Sequence, residues 1–292
     1  MKLLLLRSVI GLLSLFSIST VRSLGSAIGT LMYRMNTRMV AVARVNLALC
    51  LPDKNQHQRE QLVKRCMQET GKNITEAGIS WSWPLTKTSK LITQVHNEQL
   101  FDKALQAEKG VVLTIVHHGN WEIMNHYLYR KNVPFSALYK PPKGKGLDRW
   151  VTTNREKSGL SLFPTGRAGA EALNSTIRKG GVVIFAPDQT PGSKSGVFAP
   201  FFGIQALTGT FTQRLLQQNP EATALCTCVL RTQQGFEVYF KEMDQEIYNS
   251  DPSKSAAALN RSIEPLILMQ TEQYQWGYKR FKKRPDGDSK LY

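Results

Sequence analysis

The residues best suited to chemistry lie in Val116-His117-His118-Gly119-Asn120-Trp121-Glu122, where a carboxylate follows a histidine by five positions. A turn at Gly119-Asn120 would let the Glu122 carboxylate fold back onto one nitrogen of the His117 ring. That contact would hold one tautomer and raise the ring's basicity, leaving the other nitrogen to take a proton from a hydroxyl. This is the logic of a base and its orienting group without a protein nucleophile: the acceptor hydroxyl itself would attack a thioester. Spacing alone leaves a plainer alternative open, two loop histidines satisfied by backbone carbonyls. The order His-His-x-x-x-Glu also differs from the His-Glu-x-x-His zinc pattern, and the chain is expected to need no metal and no cofactor.

A second polar cluster, Ala186-Pro187-Asp188-Gln189, precedes a Gly-containing loop and the aromatic run from Val197 to Gly203. Such a segment suits a wall beside an acyl chain or thioester. Both clusters follow short β-rich apolar runs, Val111 to Val116 and Gly181 to Ala186. In open α/β sheets, functional groups gather at the carboxyl ends of such strands. Further strands are expected at Ala222 to Leu230 and Phe236 to Phe240, with helices over 57–83, 97–108, 121–130, 147–157, 168–179, 209–218 and 255–272. Strands alternating with helices define an α/β domain with a mainly parallel or mixed sheet.

That domain would occupy residues 24–292, and residues 1–23 form a basic-flanked apolar segment interrupted by Ser14, Ser17, Ser19 and Thr20. The segment is expected to be an uncleaved membrane anchor; an interfacial helix and a signal peptide are the alternatives. Next to it, Leu24, Ile28, Leu31, Met32 and Met35 recur at helical spacing beside Arg22, Arg34 and Arg38. A helix lying on an anionic membrane, arginines toward headgroups, would show this pattern, and so would a plain core-facing helix. With 38 Lys+Arg against 22 Asp+Glu, the net charge is +16, which calls for an anionic partner. Five of the six residues 279–284 are Lys or Arg, with Phe281 as the single aromatic. One aromatic is thin support for stacking bases, so a carrier protein or lipid headgroups are expected there and no nucleic acid, with a solvated charge run as the plain alternative. The cysteines, Cys50, Cys66, Cys226 and Cys228, lack CxxC spacing and are expected to be small buried hydrophobes.

Several blocks in order resemble the lipid A biosynthesis acyltransferases, the lauroyl and myristoyl transferases of Gram-negative bacteria. They are Ala43-Arg44-Val45-Asn46-Leu47-Ala48-Leu49-Cys50, the His117–Glu122 run, Ala186 to Gln189, Val197 to Gly203, and Gln273-Tyr274-Gln275-Trp276 running on to Pro285. The resemblance spans about residues 24 to 286. It implies a glycerolipid-acyltransferase-like mixed sheet flanked by helices. It also implies an acyl carrier protein thioester as donor, a Kdo-substituted phosphorylated disaccharide as acceptor, and a place at the bacterial inner membrane with the domain on the cytoplasmic side. By the same resemblance His117 and Glu122 are the catalytic pair. Arg155 and Arg167 would bind phosphate or the developing oxyanion, and Asp188 and Gln189 would line the substrate site. Transfer to another lipid, donation from coenzyme A, and a non-catalytic basic protein binding membranes or nucleic acid are the competing readings.

Overall fold

The computed structural model describes residues 2–142 and 144–292. Four helices come first: α1 (Lys2–Leu13), α2 (Ile18–Arg34), α3 (Arg38–Cys50) and α4 (Gln56–Ser82), with a short α5 (Leu85–Thr88) after them. Strands and helices then alternate: β1 (Ile92–His96), α6 (Glu98–Gln106), β2 (Val111–Gly119), α7 (Ile123–Lys131), β3 (Phe135–Tyr139), α8 (Lys145–Glu156), β4 (Leu160–Pro164), α9 (Arg167–Arg178) and β5 (Val182–Phe185). The chain ends with β6 (Gly196–Phe201), β7 (Ile204–Gly209), α10 (Phe211–Gln218), β8 (Thr223–Arg231), β9 (Phe236–Glu242) and α11 (Pro252–Met269).

Seven strands form one sheet in the order β1-β9-β8-β2-β5-β3-β4, and β6 and β7 form a separate antiparallel hairpin. Neighbours in the large sheet run parallel except β8 and β9. Val111, Leu113 and Ile115 face one core while Val112 and Val116 face the other, as expected for a central strand buried on both sides. Phe101, Ile123 and Tyr127 of α6 and α7 cover the first face. Leu173, Leu215, Leu259, Leu47 and Met67, from α9, α10, α11, α3 and α4, cover the second. From β2 the chain crosses through α7 to β3 on one side; from β5 it crosses through α10 to β8 on the other. Adjacent strands whose connections diverge in this way open a crevice beyond their carboxyl ends.

The expected strands and helices are present with small changes of boundary. The strands β1, β3 and β4 and the β6–β7 hairpin were not foreseen. The four cysteines are free and buried. Gly71 and Gly78, which weaken a helix on propensity, are packing positions in α4. A Cβ on Gly71 would sit 2.0 Å from the Gly25 carbonyl oxygen, and one on Gly29 would sit 2.0 Å from that of Met67. The crossing of α2 over α4 therefore brings backbone against backbone.

The amino-terminal segment is not one helix. It breaks after Leu13, and Ser17 caps α2 by accepting the Thr20 N–H at 3.2 Å. No helix among the described residues is long and apolar enough to cross a membrane. Instead Ile10 and Leu13 pack inward, next to Gly78, while Leu4, Leu5, Val9, Leu12, Leu15 and Phe16 are exposed. Leu24, Leu31 and Met35 extend this exposed apolar surface along α2. Arg22 points inward, against expectation, because a buried carboxylate receives it: its Nε donates to Glu76 Oε1 at 2.7 Å.

Candidate active site

His117 lies near the end of β2, and Asp188 follows the end of the neighbouring strand β5 by three residues. Adjacency of the two strands delivers a carboxylate to the imidazole. The His117 Nδ1 and Asp188 Oδ1 are 2.7 Å apart, and the His117 backbone N–H donates to Asp188 Oδ2 at 3.0 Å. The Asp188 side chain is 1% exposed and that of His117 18%, so the pair has one sealed end and one open end. Burial acts to lower the His117 pKa, but the charge and hydrogen bond of Asp188 outweigh it, with Glu122 adding to them, and the value is raised. Burial likewise works against an ionised Asp188, yet the His117 contacts hold its pKa below the usual carboxylate value. With Nδ1–H donating to Asp188, neutral His117 keeps a basic lone pair on Nε2.

Glu122 does not fold back onto the ring. It stands at the start of α7, and its carboxylate is taken by Arg155 of α8, whose Nε lies 3.2 Å from both carboxylate oxygens and whose Nη2 also donates to Oε1. The planar fork of a guanidinium fits a carboxylate better than a single ring nitrogen does. The predicted His117, Glu122, Arg155, Asp188 and Gln189 therefore fall into two pairs, His117 with Asp188 and Glu122 with Arg155, with Gln189 beside the first, and the orienting carboxylate on Nδ1 is that of Asp188. The Trp121 ring meets the His117 ring edge-on at 4.9 Å. Alongside lies a cavity of about 100 Å³ lined by Glu122, Arg155 and apolar groups that include Ile115, Leu138, Leu162 and Ile184.

A strap formed by residues 270–281 crosses the pair. The Gln275 N–H donates to the His117 carbonyl at 3.1 Å, and Gln275 Oε1 accepts the Gln189 amide at 3.1 Å, which places Gln189 Nε2 3.5 Å from His117 Nε2. Thr190 is fixed by the Tyr278 hydroxyl and the Arg280 carbonyl. Asn46, buried in α3, ties down the strap by donating to the carbonyls of Trp276 and Tyr278 at 2.7 and 2.8 Å. Asn46 and Gln275 were visible only as members of sequence blocks. Nothing in their spacing announces that they meet.

The other expected residues fall elsewhere. Arg167 begins α9 with its side chain 93% exposed, paired with Glu171 at 3.0 Å. It starts the helix after β4, the edge strand three places from β2, and is bonded to none of His117, Asp188, Glu122 and Arg155. The Val197–Gly203 run forms the hairpin, with Phe201 in the core and Phe202 against Trp276, and is not among the residues lining the cavity. Within 279–284, Arg280 and Phe281 are buried, and Arg280 donates to the Leu207 carbonyl and Thr208 Oγ1. The basic run is therefore only partly a charged surface. Among the described residues no group of His, Cys, Asp and Glu is arranged to hold a metal ion.

A polarised imidazole in contact with Trp121, which lines the apolar cavity together with the Arg155 guanidinium, suits acyl transfer to a hydroxyl. Comparison with known proteins agrees with that chemistry. Residues 4–283 match the family model of the bacterial lipid A biosynthesis acyltransferases, and the chain belongs to that family. The protein is thus an acyltransferase of lipid A biosynthesis. It is 30% identical over 272 residues to the lipid A biosynthesis palmitoleoyltransferase of Escherichia coli K12, covering 92% of this chain and 87% of that protein. It is 28% identical over 274 residues to the lipid A biosynthesis lauroyltransferase of the same organism, with the same coverage. A lipid A biosynthesis acyltransferase of Haemophilus influenzae is 28% identical over 273 residues, covering 91% of this chain and 85% of that protein.

Proposed function

We propose that the protein transfers a fatty-acyl chain from an acyl carrier protein thioester to a hydroxyl of a Kdo-substituted, phosphorylated lipid A precursor at the inner face of the bacterial inner membrane. His117 is the general base. Its Nε2 removes the proton as the acceptor oxygen attacks the thioester carbonyl carbon, and the imidazolium that forms is stabilised by Asp188. Collapse of the tetrahedral intermediate forms the ester, breaks the C–S bond and returns the proton to the departing thiolate. Glu122 adds negative potential and holds Arg155, whose guanidinium faces the anionic parts of the reactants, the phosphate or the oxyanion. Gln189 lines the approach to Nε2. The exposed leucines of α1 and α2 would enter the membrane interface, so the anchor lies on the bilayer and does not span it.

The observation that carries this reading is the contact between His117 Nδ1 and Asp188 at 2.7 Å, which leaves Nε2 of a partly exposed ring with only the Gln189 amide beside it, at 3.5 Å. The decisive test is mass spectrometry of lipid A from a host lacking its own late acyltransferases, expressing either this chain or its His117→Ala variant. One added acyl mass is expected with the natural chain and none with the variant, at equal protein levels. Equal acylation by both would remove His117 from the mechanism. No added mass with either would direct the search to other acceptors.

A further inference from the structure

Behind the turn that joins β2 to α7 lies a charged cluster that the mechanism above does not use. The Glu76 side chain is 1% exposed and is the acceptor at its centre. Its Oε1 accepts from Arg22 Nε and Arg231 Nε, both at 2.7 Å; its Oε2 accepts from Arg231 Nη2 at 2.8 Å and Asn120 Nδ2 at 2.9 Å. Arg231 also reaches Glu69 at 2.5 Å and Asn73 at 2.7 Å. Lys72 takes the other oxygen of Glu69, so two arginines and a lysine face two glutamates and each carboxylate is paired. A buried charge with all its partners present is costly to disturb at any member, which gives the groups around it little freedom.

Among the described residues, Asn120 is the one neutral side chain through which Glu76 reaches the His117–Glu122 segment. It is buried, its amide is shared between Glu76 and Ser80 Oγ (3.2 Å), and its backbone N–H donates to the Val229 carbonyl at 3.2 Å. Two residues later the chain presents Glu122 to Arg155. Arg22 belongs to α2, and its other nitrogens donate to the carbonyls of Thr232 and Gly235 at 2.5 and 2.8 Å. One carboxylate therefore joins the turn to α2, α4 and the end of β8.

Resting on the reading of His117 as base, we infer that Glu76 is a positioning residue. Through Asn120 it holds the turn that sets Glu122 and Arg155 beside the imidazole. It touches no reactant. The role is separable from mere folding because Asn120→Ala removes one neutral donor and leaves Glu76 its three arginine bonds.

The test uses the purified full chain in phospholipid vesicles, with a dodecanoyl thioester of acyl carrier protein and the Kdo-substituted disaccharide lipid as probes. Rates are measured well below each variant's melting temperature. Asn120→Ala should lower kcat by about 10–100-fold, leave KM within about threefold and lower Tm by only a few degrees. In a Glu122→Gln background the same substitution should change kcat by less than about threefold, because both act on one group. Glu76→Gln, where it folds, should lower kcat as Asn120→Ala does, and combining the two should add little. A wild-type kcat in Asn120→Ala or Glu76→Gln, or losses that multiply in the double variants, would overturn the inference while His117→Ala stays inactive. An active His117→Ala would instead bring down the base itself, and this inference with it.

Discussion

His117 and His118 are consecutive residues in opposite environments. The ring of His117 reaches solvent on one side and meets a carboxylate on the other, and its pKa is raised. His118 is fully buried, its Nε2 lies 2.8 Å from the Gln270 carbonyl oxygen, and burial pushes its pKa down to about 4. One residue along a strand turns a side chain to the other face of the sheet, and here that separates a charge-stabilising site from a dry one. The lesson is that an imidazole becomes a base through the partner on its second nitrogen. A pair of histidines in a sequence has no chemistry until the topology assigns each ring a neighbour.

The comparison breaks most sharply at Asp188. Asp188→Asn should lower kcat by roughly 10²–10⁴-fold, since an amide neither fixes the tautomer nor stabilises the imidazolium. It should also move the acid limb of the pH–rate profile. In the natural protein His117 must be neutral to accept a proton, so activity falls as pH drops through a value above the ordinary 6.5 of histidine. Without the carboxylate that limb should shift to lower pH; a limb that stays in place would show that Asp188 does not set the basicity. A smaller effect is expected one residue along. His118→Gln should keep kcat within about threefold and cost about 1–3 kcal/mol of stability, measured by denaturant unfolding, through loss of a buried hydrogen bond. A large fall in kcat there would make both rings functional. Least of all should follow from Arg167→Ala, which removes an exposed helix pair and should change stability by no more than about 0.5 kcal/mol with activity unchanged.

Much of the frame was legible in advance. The runs at Val111 to Val116 and Ala222 to Leu230 stand out because central strands are apolar on both faces. The strands β1, β3 and β4 did not, since β1 and β4 form the sheet edges and mix exposed with buried positions, and β3 carries only two fully buried residues. The site followed the same division. His117 and Asp188 were identifiable as candidates because each ends or follows an apolar run, and Arg155 only through the family resemblance. Their pairing was not, because Asp188 lies 71 residues from His117 and Arg155 lies 33 from Glu122. Local spacing favoured the wrong carboxylate for that reason. Arg22 and Arg280 mark the same limit from the other direction. Both look like membrane-facing charges in sequence, and both are buried against partners that only the fold supplies.

The contact of α2 with α4 bears on how this enzyme tolerates change. Alanine is ordinarily the residue that strengthens a helix, by about 1 kcal/mol over glycine. At Gly25, Gly29 or Gly71 the added methyl would meet its nearest backbone atom at 2.0–2.6 Å, with no flexible side chain to give way except the Thr75 hydroxyl near Gly25. Wedging the helices apart would also pull on Arg22, three residues from Gly25. The chain thus contains positions where a better helix former makes a worse protein, and sequence optimisation by propensity would go wrong there first.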